Sequence, residues 1–355
     1  ALSIDLPSVY TNRNTWLSPV LRAICLGAQD LFAAKDPLRA KPEPMPVQIL
    51  WLAGVCCLLS LLGLLALSGC GGSAPATETA APSARAPFLW RVESPNGRVS
   101  HLMGTIHGGV TLDEALPAPH DDLLANATSV HVESLVDDPA QLMAFAQRMM
   151  QPSPVPLSQR VAAADFEALV AQLGAFPRER LDSLRPWAAF FVVLSVRLTR
   201  SLQAHAAEAG TDPAAPAMDA VVLQRTRERQ LLPQPLEQMS ELADIFEGLD
   251  EGVYLAMLAD FAQPLPEDGS DPEAEQLAQL VAAYRAGDLD AVSTLVDALN
   301  SGESHSAFFR MLIAQRNTLW MTRLTRAFNE GGAFVAVGAA HLPGPEGLLQ
   351  QLGAA

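Results

Sequence analysis

From about residue 138 to residue 329, apolar side chains recur at three- and four-residue spacing, the period of an amphipathic helix. The pattern predicts helices over 139–150, 158–173, 186–204, 214–228, 236–260, 273–285, 288–299 and 303–329, with Pro-rich breaks at 152–156 and 263–272. Either side of this block the pattern changes. Phe88-Leu89-Trp90-Arg91-Val92 and Val99-Ser100-His101-Leu102-Met103 read as strands flanking Ser94-Pro95-Asn96-Gly97, whose Asn-Gly is a hairpin signal. Ser129-Val130-His131-Val132-Glu133 alternates as a half-buried strand, and Ala333-Phe334-Val335-Ala336-Val337 is a buried apolar run. Residues 119–127 and 345–353 add short helices. The expected fold is α/β (α+β): a small central sheet built from both ends of one domain, around a large helical insertion.

The N-terminal third has a different organisation. Residues 49–67 are apolar without interruption, long enough to cross a bilayer. The run ends in Leu67-Ser68-Gly69-Cys70, which resembles the lipobox of bacterial lipoproteins, where the cysteine is diacylated. A Gly/Ser/Ala/Pro/Thr tract follows, with too little apolar surface to fold. A plain transmembrane anchor is the alternative. The expected division is an extension of unclear status over 1–44, a signal peptide over 45–70 with Met45 as a possible start, a linker over 71–86 and one folded domain over 87–355. A lipid anchor at Cys70 would place that domain in the bacterial cell envelope, on the periplasmic or exoplasmic side of a membrane.

Composition narrows the chemistry. The formal net charge is −16, and residues 1–70 hold only five of the 23 Lys/Arg and four of the 39 Asp/Glu, so the rest carries −17. Such a surface repels a phosphate backbone, which disfavours nucleic acid as a partner. All four cysteines lie at or before Cys70, so the folded domain has neither a disulfide framework nor thiolate ligands. Its chemistry must come from histidine, carboxylates, hydroxyls and arginine.

One four-residue pattern occurs twice. Gly104-Thr105-Ile106-His107 and Gly338-Ala339-Ala340-His341 each follow a strand-like run and precede a Gly-containing turn. A glycine three residues before the histidine lets a strand end approach another backbone closely. Open α/β sheets gather functional groups at strand ends, so both imidazoles are expected to converge with Glu133, which closes another strand. Two neutral imidazoles and a carboxylate form a common ligand set for a catalytic divalent ion. Taken singly, a Gly-x-x-His is also a turn with a hydrogen-bonded histidine, and a terminal glutamate is also a solvated end. His131, two residues before Glu133, is a further residue that could orient its carboxylate.

The segments LMGTIHGG and VAVGAAHLPGPEGLL resemble the two signatures of the TraB/PrgY/GumN family, which includes the Tiki proteases. Between them VHVES, Leu184-Arg185-Pro186-Trp187, Met218-Asp219, Leu236-Glu237-Gln238, Tyr284-Arg285-Ala286-Gly287-Asp288-Leu289 and Arg316-Asn317 match further family segments in order. The likeness covers roughly residues 87–353. The family is similar in fold to erythromycin esterases and ChaN-type proteins. It implies a metal site at His107, Glu133 and His341, holding Mn2+ or Co2+ by analogy with Tiki members, with Zn2+ as a further option. It also implies that Glu133 acts as ligand or general base, that Arg316 stabilises an oxyanion or a substrate carboxylate, and that Asn317 positions Arg316; a structural salt bridge is the alternative for Arg316. Ser134 stands where many relatives carry an acidic residue.

The leading expectation is a metal-dependent hydrolase of the cell envelope, acting on a peptide or another small envelope substrate. The alternative is a non-catalytic envelope lipoprotein that sequesters peptides or polysaccharide precursors; haem or iron handling is a third reading, by fold analogy alone.

Overall fold

The computed structural model describes residues 86–209, 216–264, 272–299 and 302–354. The apolar run at 49–67, Cys70 and the linker lie outside the described residues. Among the described residues no helix is long and apolar enough to cross a membrane.

A five-stranded sheet carries the domain, in the order β1-β2-β5-β3-β4. Strands β1 (Leu89–Glu93) and β2 (Val99–Thr105) form the expected hairpin. Its turn is closed by Ser94 N–H donating to Arg98 O at 2.9 Å, and Gly97 takes φ +77°, which an L side chain rarely adopts. Strand β3 (Ser129–Val132), the two-residue β4 (Gln234–Pro235) and β5 (Ala333–Gly338) pair in parallel, and β5 also runs parallel to β2. All six residues of β5 are buried, which is why its sequence is apolar without alternation. The last strand of the sequence is therefore the middle of the sheet, and residues more than two hundred positions apart become neighbours.

The insertion is helical as expected, with finer punctuation. After α1 (Leu112–Ala115) and α2 (Asp121–Ala125), helix α3 (Pro139–Met149) starts where Asp138 accepts from the Ala140 and Gln141 amides and Pro139 opens the first turn. Helices α4 (Ala163–Leu173) and α5 (Arg178–Ser183) lead to the long α6 (Pro186–Ala209), then α7 (Met218–Glu228). The single helix expected over 236–260 is two, α8 (Met239–Gly248) and α9 (Glu251–Phe261). Leu249 turns extended (ψ 142°) and the Asp250 carboxylate caps α9, a capping aspartate embedded in otherwise continuous apolar periodicity.

Helices α10 (Pro272–Ala286) and α11 (Leu289–Leu299) follow. The last expected long helix is interrupted: α12 (Glu303–Phe309) passes through a π-helical stretch, Arg310–Gln315, into α13 (Arg316–Glu330). Helix α14 (Leu348–Ala354) closes the described chain.

Two apolar centres result. One lies against the sheet, around Leu102, Val130, Phe334, Val335 and Trp320. The other is aromatic: Phe190 stacks on Phe261 at 5.4 Å, and Phe191 meets Phe246 at 4.5 Å and Trp187 at 6.3 Å.

The entry to β5 is conformationally demanding. Gly332 has φ +69°, donates to Val99 O at 2.8 Å, and a Cβ there would stand 2.5 Å from Thr128 Oγ1. Gly332→Ala is expected to cost about 1–3 kcal/mol, read as a lower urea midpoint with an unchanged m-value.

Candidate active site

Because β2, β5, β3 and β4 run parallel, their C-terminal ends open on one edge. Thr105 ends β2 and His107 follows two residues later; Glu133 follows β3; Gly338 ends β5. A 3-10 turn, Ala339–His341, then folds His341 back over the strand end. The three side chains meet around one backbone atom. A Cβ placed on Gly338 would lie 3.1 Å from Glu133 Oε1, 3.6 Å from His341 Cδ2 and 3.8 Å from His107 Nε2. The Gly338 amide itself donates to Glu133 Oε1 at 2.6 Å.

The other motif glycine is also a close-approach position. A Cβ on Gly104 would meet Leu342 Cδ1 at 2.7 Å and the Ala339 Cα at 3.3 Å, so the first motif packs directly on the second. Tyr284 fixes that strand end by donating its hydroxyl to Gly104 O at 2.6 Å. After His107 the chain turns under the helices: a Cβ on Gly108 would lie 2.5 Å from Leu202, and one on Gly109 (φ +77°) 2.6 Å from Val281.

Arg316 sits beneath the three residues at 1% exposure. Its Nε–H points at both oxygens of Glu237 (3.0 and 3.1 Å), Nη2 donates to Glu237 Oε1 at 2.6 Å and to Glu133 Oε2 at 2.7 Å, and Nη1 lies 3.3 Å from His341 Nε2. One of its five N–H groups is left over. This is the placement of a structural ion pair, with little capacity for a substrate oxyanion. Glu237, fully buried just beyond β4, also accepts from Trp320 Nε1 at 3.0 Å, and the guanidinium lies 4.8 Å over the Trp320 ring. The π-helical stretch sets the helix phase here, so that consecutive residues Arg316 and Asn317 are both buried at its exit.

Asn317 serves His341 rather than Arg316. Its Nδ2 donates to the His341 and Glu346 carbonyls (3.1 and 2.8 Å), which leaves Oδ1 to face His341 Nδ1 at 2.7 Å. The amide orientation thereby assigns the proton of His341 to Nδ1 and leaves Nε2 a lone pair that faces Arg316 Nη1. His131 does not orient Glu133; its Nε2 contacts Ser129 Oγ at 3.2 Å.

Sequence reasoning gave no role to Asp219. It stands in the first turn of α7, its Oδ2 lies 2.6 Å from His107 Nδ1, and its Oδ1 accepts from Thr105 Oγ1 at 2.9 Å. Glu237 was equally unassigned. Both lie in segments that carried the family resemblance, and the available signal was an acidic residue at a position the periodicity buries.

The electrostatics follow from these contacts. Burial would raise the Glu133 carboxyl, but Arg316, both imidazoles and the Gly338 N–H hold it down at about 2. Burial, with help from Arg316, lowers His341 to about 3, so it is neutral. His107 is raised despite its burial, because Asp219 stands against it. Burial raises Glu237, with Arg316 opposing. Three carboxyl groups, Glu133, Glu237 and Asp219, thus stand around one guanidinium, Arg316, and two imidazoles.

The donor types are those a divalent cation takes: two imidazole nitrogens, one on a ring that faces a carboxylate, and the Glu133 carboxylate. Arg316 contests two of these donors, and among the described residues no group of three His, Cys, Asp or Glu side chains is arranged so that it could hold a metal ion.

A mixed sheet whose parallel strand ends present two Gly-x-x-His histidines and a glutamate, under a helical cap, defines the class. The TraB/PrgY/gumN family model matches residues 88–355, and the chain belongs to that family. No curated protein and no solved structure matches it.

Removing the buried acid tests the ion-pair network. Glu237→Ala leaves the buried Arg316 with Glu133 as its remaining carboxylate partner and is expected to cost about 3–5 kcal/mol, measured by urea unfolding. Acid should act through His341 and Glu133. Both folded values lie below the unfolded ones, so stability is lost as pH falls from about 6.5 toward 3, and further toward 2. His341→Gln should flatten the upper part of that fall; an unchanged slope would contradict the assignment.

Proposed function

We propose that the domain is a hydrolase of peptide or related acyl bonds in the bacterial cell envelope, using a divalent ion, Mn2+, Co2+ or Zn2+, held by His107, Glu133 and His341. The observation that carries the reading is the meeting of these three side chains around Gly338, from strand ends far apart in sequence. A bound ion would supply Lewis acidity toward a substrate carbonyl and an attacking water. The protein's own contribution is positional. Asn317 turns the His341 Nε2 lone pair inward, and the Gly338 amide together with Arg316 holds the Glu133 carboxylate ionised and fixed. The helices over Gly108 and Gly109 cover the site, leaving the Glu133 and Asp219 side chains 11% exposed and His107 6%. The lipobox-like Leu67-Ser68-Gly69-Cys70 supports attachment to a membrane by a lipid on Cys70.

A second reading has its own support. Arg316 occupies Glu133 and reaches His341, an arrangement suited to architecture without catalysis, in an envelope lipoprotein that sequesters peptides or polysaccharide precursors.

Elemental analysis after loading with Mn2+, Co2+ or Zn2+ and dialysis decides between them, together with cleavage of an unfolded polypeptide. The hydrolase reading predicts about one ion per chain, lost in His107→Ala and His341→Ala, and cleavage that falls at least ~100-fold in both. Metal-free wild-type protein that binds peptides without cleaving them would establish the second.

A further inference from the structure

The two Gly-x-x-His histidines are alike in sequence but are held by different chemistry. We propose that Asp219, backed by Thr105, is the positioning residue of His107, fixing its proton on Nδ1 and turning the Nε2 lone pair toward Glu133. This role rests on the hydrolase reading only for its catalytic meaning; the geometry stands independently of it.

An ionised carboxylate only accepts hydrogen bonds. Asp219 Oδ2 and His107 Nδ1 are 2.6 Å apart, so the carboxylate stands against the ring nitrogen that is to carry the proton. The approach is bent, with Oδ2 off the axis of a ring N–H. The carboxylate is in turn fixed from its far side, because Thr105 Oγ1 donates to Oδ1 at 2.9 Å. Thr105 is the last residue of β2 and His107 lies two residues on, so one strand end supplies both the ring and the hydroxyl that steadies its partner. Asp219 enters from the opposite side, at the start of α7, with its residue only 7% exposed. With the proton on Nδ1, the other nitrogen of the neutral ring carries the lone pair, and that atom lies 3.8 Å from where a Gly338 Cβ would stand.

His341 reaches the same tautomer by another route, through the Asn317 amide. A carboxamide orients a neutral ring; a carboxylate orients it and makes its far nitrogen more electron-rich. Within the pair, His107 is the stronger donor toward whatever occupies the space beside Glu133.

Long-range 1H–15N correlation NMR on the full chain, at alkaline pH where the ring is neutral, reads the tautomer of His107 directly. His107→Gln assigns the signal. The expected result is a single Nδ1–H tautomer in the wild type. It should be kept in Asp219→Asn, whose carbonyl oxygen still accepts, and lost to a mixture in Asp219→Ala. Thr105→Val should retain it with broadened lines. An Nε2–H tautomer in the wild type, or an unchanged spectrum in Asp219→Ala, overturns the proposal. If Asp219→Ala does not fold, the wild-type tautomer alone decides. None of these signals requires hydrolysis, so failure of the hydrolase reading leaves the test intact.

Discussion

The carboxylate of Glu133 is held by two unlike donors, the Gly338 amide from the central strand and the Arg316 guanidinium from a helix, and the organisation of the site depends on that grip. Without the amide, the ends of β3 and β5 would have no polar link at the level of the histidines. Without the guanidinium, a carboxylate at 9% exposure would be buried uncompensated. Each donor is itself constrained. Gly338 gives Glu133 room, because a Cβ there would press on Glu133 Oε1 at 3.1 Å and touch His341 and His107. Arg316 is held by Glu237, and Glu237 by Trp320.

The sheet order explains how distant residues share this grip. Strand β5, the last of the sequence, lies between β2 and β3, which come early, and the long insertion returns only a two-residue strand to the edge. A buried parallel strand in the middle of a sheet tolerates no polar side chain on either face, so chemistry is confined to its end. The helical insertion contributes Arg316, Asn317, Asp219 and Glu237, none of which touches the sheet through apolar packing alone. It is thus both the cap of the site and the source of most of its charge.

Much of this was legible before coordinates. The strand-like runs at 88–92, 99–103, 129–133 and 333–337 and the helical block between them were apparent from period alone; the meeting of two Gly-x-x-His ends with Glu133 was an expectation from the repeated motif and the family resemblance. Less visible were features that depend on three-dimensional partners. β4 is two residues ending in a proline, too short to carry a period. Asp250 breaks a helix that apolar spacing continues through. The roles of Asp219 and Asn317 emerge only once α7 and α13 are placed against the strand ends, because tautomer control requires a partner across space. Arg316 was found by its segment, with a substrate-facing role and a structural salt bridge both open, and it is enclosed by two carboxylates.

A double-mutant cycle between Glu133→Gln and Arg316→Gln, read by urea unfolding, tests the grip most directly. If the guanidinium holds the carboxylate as described, the two losses overlap and the coupling is about 1–3 kcal/mol. Losses that add to within ~0.5 kcal/mol would mean the two side chains do not meet, and the site would lose the contact that orders it.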